Sequence, residues 1–348
     1  MDFLFIYLKF LFTQNILRYQ LIEGESIFKN YLDKKQTTMI NGIFVFLVFL
    51  SHAKQYMNLS GPYHETYLFL SGFLNQAIVV TFLFYSGFGV MESIKKKGTD
   101  YLKTFPRKIF TLLFQIDIAV FLFLLTNIII GNSIRLKDFL LALTTWGSIG
   151  NSNWYITSIL ILYLFTFLCF KYNKSDWISL FLLTILTIAI VYFFMKIGRP
   201  AYTYNTMICY PFGIFYSLIH ENIEKYLKNN TIYLSVLVIT LTISILTRPE
   251  IYNNIKYYTI WMGCFMIFIL LFTMKINLNN SFLYFLGTHI FSIYILQRIP
   301  MMLLTRLGIN QHTFSFITIS FVLTLIIAIL FDEYIVPQIS KLLNLLKI

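Results

Sequence analysis

Long, uninterrupted apolar runs are the feature that most constrains how this chain folds. Ten of them approach or reach the length that a helix needs to cross the hydrocarbon layer of a membrane, about 20 residues. Only helices and closed barrels satisfy their backbone hydrogen bonds inside a bilayer, and continuous rather than alternating runs favour helices. We therefore predict an all-α polytopic membrane protein with about ten transmembrane helices, at residues 37–54, 67–91, 109–130, 154–170, 177–195, 202–219, 231–247, 257–274, 282–304 and 314–331.

The composition excludes the soluble classes of protein. Of the 348 residues, 58% are hydrophobic and only 12% are charged, which is too apolar for a water-soluble core. The net charge is +12, but the Lys and Arg residues form no basic stripe on a soluble domain. We therefore expect no nucleic-acid partner and assign the excess of positive residues to loops at an anionic membrane face. The three cysteines lie within apolar runs and lack metal-ligand spacing. We predict no bound metal.

The distribution of Lys and Arg predicts the orientation in the membrane. With the N-terminus inside, the inner loops and tails hold 18 of the 27 Lys and Arg residues, and positive residues concentrate on the cytoplasmic side. We therefore expect both termini to be cytoplasmic. The predicted parts are a cytoplasmic or interfacial arm over residues 1–36, a membrane domain over residues 37–335 and a cytoplasmic tail over residues 336–348. Within the arm, the apolar segment Phe3–Leu8 favours an interfacial helix.

His52 is the first candidate for chemistry, because an ionisable group inside a membrane span is costly. It stands at the outer end of the first predicted helix. Asn41 lies eleven residues earlier and shares its helix face, since eleven steps of 100° overshoot three turns by about 20°. We predict that the pair lines one passage through the membrane and that a buried, neutral imidazole acts as a general base. The alternative is a histidine that is simply hydrated at the helix end.

A basic loop on the predicted inner face is the second candidate. Residues 95–108 contain six Lys and Arg residues. A ligand that carries several phosphates needs a cationic mouth of this kind. Arg107 and Lys108 adjoin the third span and are the best candidates, with Lys103 beside them. The alternative is that these residues only fix the topology.

Two further ionisable residues lie inside predicted spans. Asp117 is a carboxylate deep in the third span, and an unpaired carboxylate there would be protonated or would seek a partner. We predict that it orients a histidine or pairs with Arg107, with a structural hydrogen-bonded role as the alternative. His289, in the ninth span, is interpreted as an interhelical hydrogen-bonding group rather than a catalyst.

Polar and aromatic residues at the outer side of the fourth and ninth spans predict a site for a sugar. Amide and aromatic side chains hydrogen-bond and stack well against sugars. For Trp154 and Tyr155 an interfacial aromatic belt is an equal alternative. The candidate substrate-binding residues are Asn153, Trp154, Tyr155, Gln297 and Arg298.

Four patches of sequence, taken in order, resemble the acyltransferase family 3 membrane proteins, which acylate surface glycans and other extracytoplasmic acceptors. The first is the opening helix, with Gly42 and His52. The others are FLFYSGFGV with the basic loop after it, NWYITSILILYL, and LGTHIFSIYILQRIP. Together they extend over nearly the whole chain. This chain departs from the family pattern at Asn41, where an arginine is usual, at Ile290, where a serine is usual, and at Gln297, where many members carry a second histidine.

The resemblance implies an enzyme of the bacterial cytoplasmic membrane. It would move an acyl group, most simply acetyl from acetyl-CoA, to a hydroxyl of a surface glycan or lipid-linked saccharide, with His52 deprotonating that hydroxyl. Coenzyme A carries several phosphates, so the resemblance implies that the basic loop, at Arg107, Lys108 and Lys103, binds a cytosolic acyl-CoA donor. One alternative is a polysaccharide transporter, flippase or polymerase without acyl transfer. Another is a different family of membrane O-acyltransferases that also pairs Asn with His.

Overall fold

Nearly every apolar run of the sequence forms a helix in the computed structural model, which describes residues 19–21, 30–57, 64–74, 76–250 and 254–348. Helices dominate because an apolar segment must satisfy its own backbone hydrogen bonds. The α-helices are α1 (Lys34–Ala53), α2 (His64–Leu74), α3 (Ala77–Lys97), α4 (Phe105–Ile130), α5 (Leu136–Leu143), α6 (Trp154–Tyr172), α7 (Asp176–Lys196), α8 (Cys209–Leu227), α9 (Asn230–Thr247), α10 (Ile255–Lys275), α11 (Ser281–Thr288), α12 (Ile290–Leu296), α13 (Arg298–Arg306), α14 (Thr313–Leu330) and α15 (Val336–Leu345). Strands β1 (Tyr19–Leu21) and β2 (Ile276–Leu278) pair antiparallel.

The helices confirm an all-α polytopic membrane protein but not the number of spans. Among the described residues, seven helical runs are long and apolar enough to cross a membrane, and a bent pair would make eight. One of the seven, Ala77–Ile130, has 54 residues, a length of about 80 Å against a hydrocarbon layer of about 30 Å. It therefore contains enough helix for two crossings, α3 and α4. Gly98, with φ +61°, ends α3 in the left-handed conformation that glycine adopts most easily.

Three of the predicted spans differ in the structure. The second is predicted at 67–91, but these residues fall on two helices, α2, which ends at Leu74, and α3, which begins at Ala77. The sixth was predicted at 202–219, but α8 begins only at Cys209 and continues to Leu227, so its second half carries charged residues and it is not among the membrane-crossing candidates. The ninth, at 282–304, is broken: α11 and the helical segment Ile290–Arg306 meet at an angle of 64°. The break lies at His289, and continuous hydropathy gives no sign of it.

The described chain divides into two compact units. Unit 1 comprises Met1–Phe44, Glu65–Lys96 and Ser175–Thr288. Its helices α3 and α8 pack through glycines, since Gly87 lies against the backbone of Tyr210 and Gly213 against that of Phe84. Close backbone approach through small residues is typical of helix packing in membranes. Part of the predicted N-terminal arm belongs here, because β1 pairs with β2; Phe3–Leu8 lies outside the described residues.

Unit 2 comprises Val45–His64, Lys97–Lys174 and His289–Ile348. Helix α4 packs against α5, α6, α13 and α15, and α14 packs against α12 and α13. The predicted cytoplasmic tail forms α15, with Ile339 and Leu343 buried. Most of the residues with predicted chemistry lie in this unit.

Candidate active site

His52 occupies the last turn of α1, in the part of that helix that belongs to unit 2. Its side chain is buried, with 9% of the residue exposed. The imidazole ring contacts the ring of Tyr294 on α12, with 6.2 Å between the ring centroids. Within the described part of the chain, Nδ1 of His52 is buried without a hydrogen-bond partner. A ring nitrogen in this state is available to a ligand or a reacting group.

A row of aromatic rings extends from His52 to the start of α6. Tyr294 meets Tyr155 edge to face, with 5.5 Å between centroids, and Tyr155 meets Trp154 with 6.3 Å between centroids. The structure thus brings the predicted residues Trp154 and Tyr155 toward His52 through Tyr294. Tyr294 was not predicted as a site residue, and its only signal in the sequence was its place in the late-helix patch.

Arg298, at the start of α13, supplies a positive charge to the site. Its guanidinium donates hydrogen bonds to the carbonyl oxygen of Gly150 at 3.4 Å and to Oε1 of Gln55, whose backbone N–H donates to the carbonyl oxygen of His52 at 3.0 Å. It also lies over the ring of Tyr56, 5.9 Å from the centroid. A guanidinium held by several contacts is a fixed charge, and charge acts more strongly in a desolvated site than in water.

Gln297 and Asn153 are both buried, with 0% and 9% of their surfaces exposed. Nε2 of Gln297 donates to the carbonyl oxygen of Tyr294 at 3.0 Å, and its Oε1 has no partner within the described residues. Nδ2 of Asn153 donates to the carbonyl oxygens of Thr145 at 3.0 Å and of Gly147. The amide nitrogen of Asn153 therefore fixes the loop before α6, and its predicted contact with an acceptor stays a prediction.

Asp117 and Asn41 are the other two predicted catalytic residues. Asp117 is half-buried on α4, and in the described structure its Oδ1 is buried without a partner. The predicted pair with Arg107 does not form, because the Arg107 guanidinium donates to the carbonyl oxygens of Ile348 at 2.7 Å and Ser340 at 3.2 Å. Asn41 lies in the part of α1 that belongs to unit 1. The orientation of a histidine by Asp117 and the role of Asn41 stay predictions.

The other predicted donor-binding cations also have intramolecular contacts. Lys108 donates to the hydroxyl of Tyr101 and lies 4.0 Å from the centroid of that ring. Lys103 pairs with Asp100 at 2.7 Å in an exposed salt bridge, which raises the pKa of Lys103 and lowers that of Asp100. Arg107 and Lys108 lie at the N-terminal end of α4, and a bound donor would replace or share these contacts.

A second polar group lies at the break before α12. Nδ1 of His289 is 2.5 Å from Oδ2 of Asp332, and the Ser292 hydroxyl donates to Oδ1 of the same carboxylate. His289 thus has the interhelical partner that the sequence predicts. Asp332, which terminates the last predicted span, is held by α12 and lies in a π-helical turn.

Comparison with known proteins gives one finding. The family model described as "Acyltransferase domain", of acyltransferase family 3, matches residues 39–333, which include His52 and Arg298. No curated protein and no solved structure matches the chain significantly.

Proposed function

The chain belongs to acyltransferase family 3, and from this premise we propose that it transfers an acetyl group from acetyl-CoA to a hydroxyl of a surface glycan or lipid-linked saccharide. Family membership and several apolar helices establish a multi-pass membrane acyltransferase. The donor, the acceptor and the bacterial cytoplasmic membrane are the parts that we propose. The observation that carries the proposal is the buried His52, with the Arg298 guanidinium held at the turn that follows it, through Gln55 and Tyr56.

The first step is deprotonation of the acceptor. A ring nitrogen of His52 takes the proton of the saccharide hydroxyl while the hydroxyl oxygen attacks the carbonyl carbon of the thioester. A general base of this kind typically contributes about 10²–10⁴ to the rate. The orphaned Nδ1 is a suitable acceptor for that proton.

The second step is stabilisation of the tetrahedral oxyanion. Attack moves one electron pair onto the carbonyl oxygen of the thioester, and a fixed positive group close to that oxygen lowers the barrier. We assign this role to Arg298, whose guanidinium is held by Gly150 and by Gln55, a residue of the turn that follows His52. The opening helix carries Asn41 in place of the family's usual arginine, and Arg298 provides a positive charge beside His52 from a different helix.

The third step is collapse of the intermediate. The carbonyl bond re-forms, the carbon–sulfur bond breaks, and the leaving thiolate takes the proton from the His52 imidazolium. The products are the saccharide acetyl ester and free coenzyme A, and the imidazole returns to its neutral form.

The donor would bind at the opposite end of unit 2, near Arg107 and Lys108. Arg107 at the start of α4 and Asn127 near its end are separated by about 30 Å along the helix, close to the thickness of the hydrocarbon layer. The basic end faces the cytosol by the distribution of Lys and Arg. The thioester then reaches His52 from the inner side, and the saccharide meets it from the outer side.

The acetyl content of the surface glycan tests this function. We expect O-acetyl ester signals in the NMR spectrum of glycan from cells that carry the gene, loss of these signals on deletion, and their return with a plasmid copy. Unchanged acetyl content with less glycan at the surface would contradict acyl transfer to it and favour a transporter or polymerase.

A further inference from the structure

An open cleft of about 390 Å³ lies in unit 2, beside the residues just described. We propose that this cleft binds an uncharged saccharide unit of the acceptor. The inference rests on the proposed function and specifies the chemistry of the acceptor. The volume is near the lower end of that of small-molecule sites, about 300–1,000 Å³, which suits a short segment of a glycan.

Two asparagines give the cleft a rigid polar wall. Nδ2 of Asn127 donates to the carbonyl oxygens of Phe123 at 2.8 Å and Ile149 at 2.7 Å, and its Oδ1 accepts from Nδ2 of Asn132 at 3.1 Å. Asn132 is exposed on the cleft side of this network. Because Asn127 holds its partner in place, the Asn132 amide presents preorganised hydrogen-bonding groups to a polyhydroxylated ligand.

Tyr56 gives the cleft an aromatic surface. Its backbone carbonyl accepts from Nδ2 of Asn310 at 3.0 Å, and the Arg298 guanidinium lies over its ring. Burial raises the pKa of the Tyr56 phenol, with the charge of Arg298 opposing the effect, so the phenol stays a neutral donor and acceptor. An apolar ring face with a polar hydroxyl is well suited to a sugar ring, which has apolar and polar sides of its own.

The lining favours an uncharged ligand. Among the described residues that line the cleft, none is Lys, Arg, His, Asp or Glu. Arg298 contacts the lining residues Gly150 and Tyr56 but is not itself part of the lining. A carboxylate or phosphate placed against this lining would lose water without a charged lining residue to pair with, which costs free energy. Uncharged hydroxyl and acetamido groups lose less free energy on leaving water, and hydrogen bonds to the asparagine side chains can compensate for that loss.

The position of the cleft connects it to the reaction. Tyr56 follows His52 by four residues in sequence, and Arg298 contacts both Tyr56 and Gln55, whose backbone N–H donates to the carbonyl oxygen of His52. Gly150 also lines the cleft, with φ +117°, and an added Cβ would lie 3.0 Å from Sδ of Met302. The cleft is therefore lined by a residue of the turn that follows the proposed base.

Direct binding in the absence of acetyl-CoA tests the inference without requiring transfer. The full chain in lipid nanodiscs is titrated with a neutral N-acetylglucosamine tetrasaccharide and, separately, with a galacturonate tetrasaccharide. We expect the neutral probe to bind, and both Tyr56→Ala and Asn132→Ala to weaken it at least tenfold. Asn344→Ala, which changes an exposed asparagine on α15, is the matched control and should bind as the unaltered protein does.

Three results would overturn the inference. The first is that the Tyr56→Ala and Asn132→Ala proteins bind the neutral probe as tightly as the unaltered protein does. The second is tighter binding of the galacturonate probe than of the neutral probe, and the third is no binding of either probe. Thermal unfolding of each variant identifies loss of folding, and Tyr56→Phe, which keeps the ring and loses the hydroxyl, should weaken binding less than Tyr56→Ala does. Saccharide binding without acetyl transfer would contradict the proposed function and leave the cleft assignment standing.

Discussion

At the scale of single residues, the structure joins groups that are far apart in the sequence. His52 could be predicted as a candidate because burying an ionisable side chain inside a membrane span costs free energy. Its proximity to Arg298 could not be predicted, because it depends on how α12 and α13 pack within unit 2. Arg298 is predicted from the sequence to bind substrate, and the task proposed for it is more specific, stabilisation of the oxyanion.

Removing the charge of Arg298 should slow the chemical step. We expect Arg298→Met to lower kcat by about 10²–10³, the usual cost of losing one oxyanion donor, and Arg298→Lys to recover part of that loss because it keeps the charge. Steady-state rates of acetyl transfer by the purified protein measure both. Arg306→Met, at the exposed end of the same helix, serves as control. Equal kcat in Arg298→Met and the unaltered protein would show that this residue does not act on the oxyanion.

At the scale of elements, glycines set how closely helices of unit 1 approach. A Cβ on Gly87 of α3 would lie 2.1 Å from the carbonyl oxygen of Tyr210, whereas one on Gly89 would meet nothing within 4 Å. The two glycines stand two residues apart in one patch of sequence. The sequence predicts that patch as part of a span but does not show which glycine faces another helix.

Replacing each of the two glycines by alanine should therefore change the stability of the fold differently. We expect Gly87→Ala to destabilise the fold by about 1–3 kcal/mol, the typical cost of overpacking, and Gly89→Ala to be neutral or slightly stabilising because alanine favours helix. Thermal unfolding in detergent, followed by size-exclusion chromatography, measures the difference. Equal melting temperatures for both variants would contradict the close packing of α3 on α8.

At the scale of elements, the hydropathy pattern does not show where a helix breaks or begins late. Continuous apolar runs predict that residues 282–304 cross the membrane, but they do not reveal the break at His289. That break is stabilised by Asp332 from another helix, so it is a tertiary effect. The late start of α8 likewise follows a short helical turn at Ala201–Thr203, for which the apolar pattern gives no signal.

At the scale of the whole molecule, the composition and the order of four weak sequence patches were sufficient to predict the fold class and the family. Both are confirmed, the family over residues 39–333. The predicted number of spans is not confirmed. Counting the spans requires knowing where helices break and bend, and the apolar pattern alone does not show this. The site was predictable only as a set of candidates, since proximity between α1, α6, α12 and α13 is a property of the folded chain.

Catalysis by His52 is the central claim, and acetyl transfer by the His52→Ala and His52→Gln proteins tests it most directly. In nanodiscs, with acetyl-CoA and the isolated surface saccharide, both variants should release coenzyme A thiol about 10²–10⁴ times more slowly than the unaltered protein, at equal expression and melting temperature. His312→Ala, an exposed histidine in the same unit, should keep full activity. Thiol release and ester formation at the normal rate by folded His52→Ala protein would contradict the account.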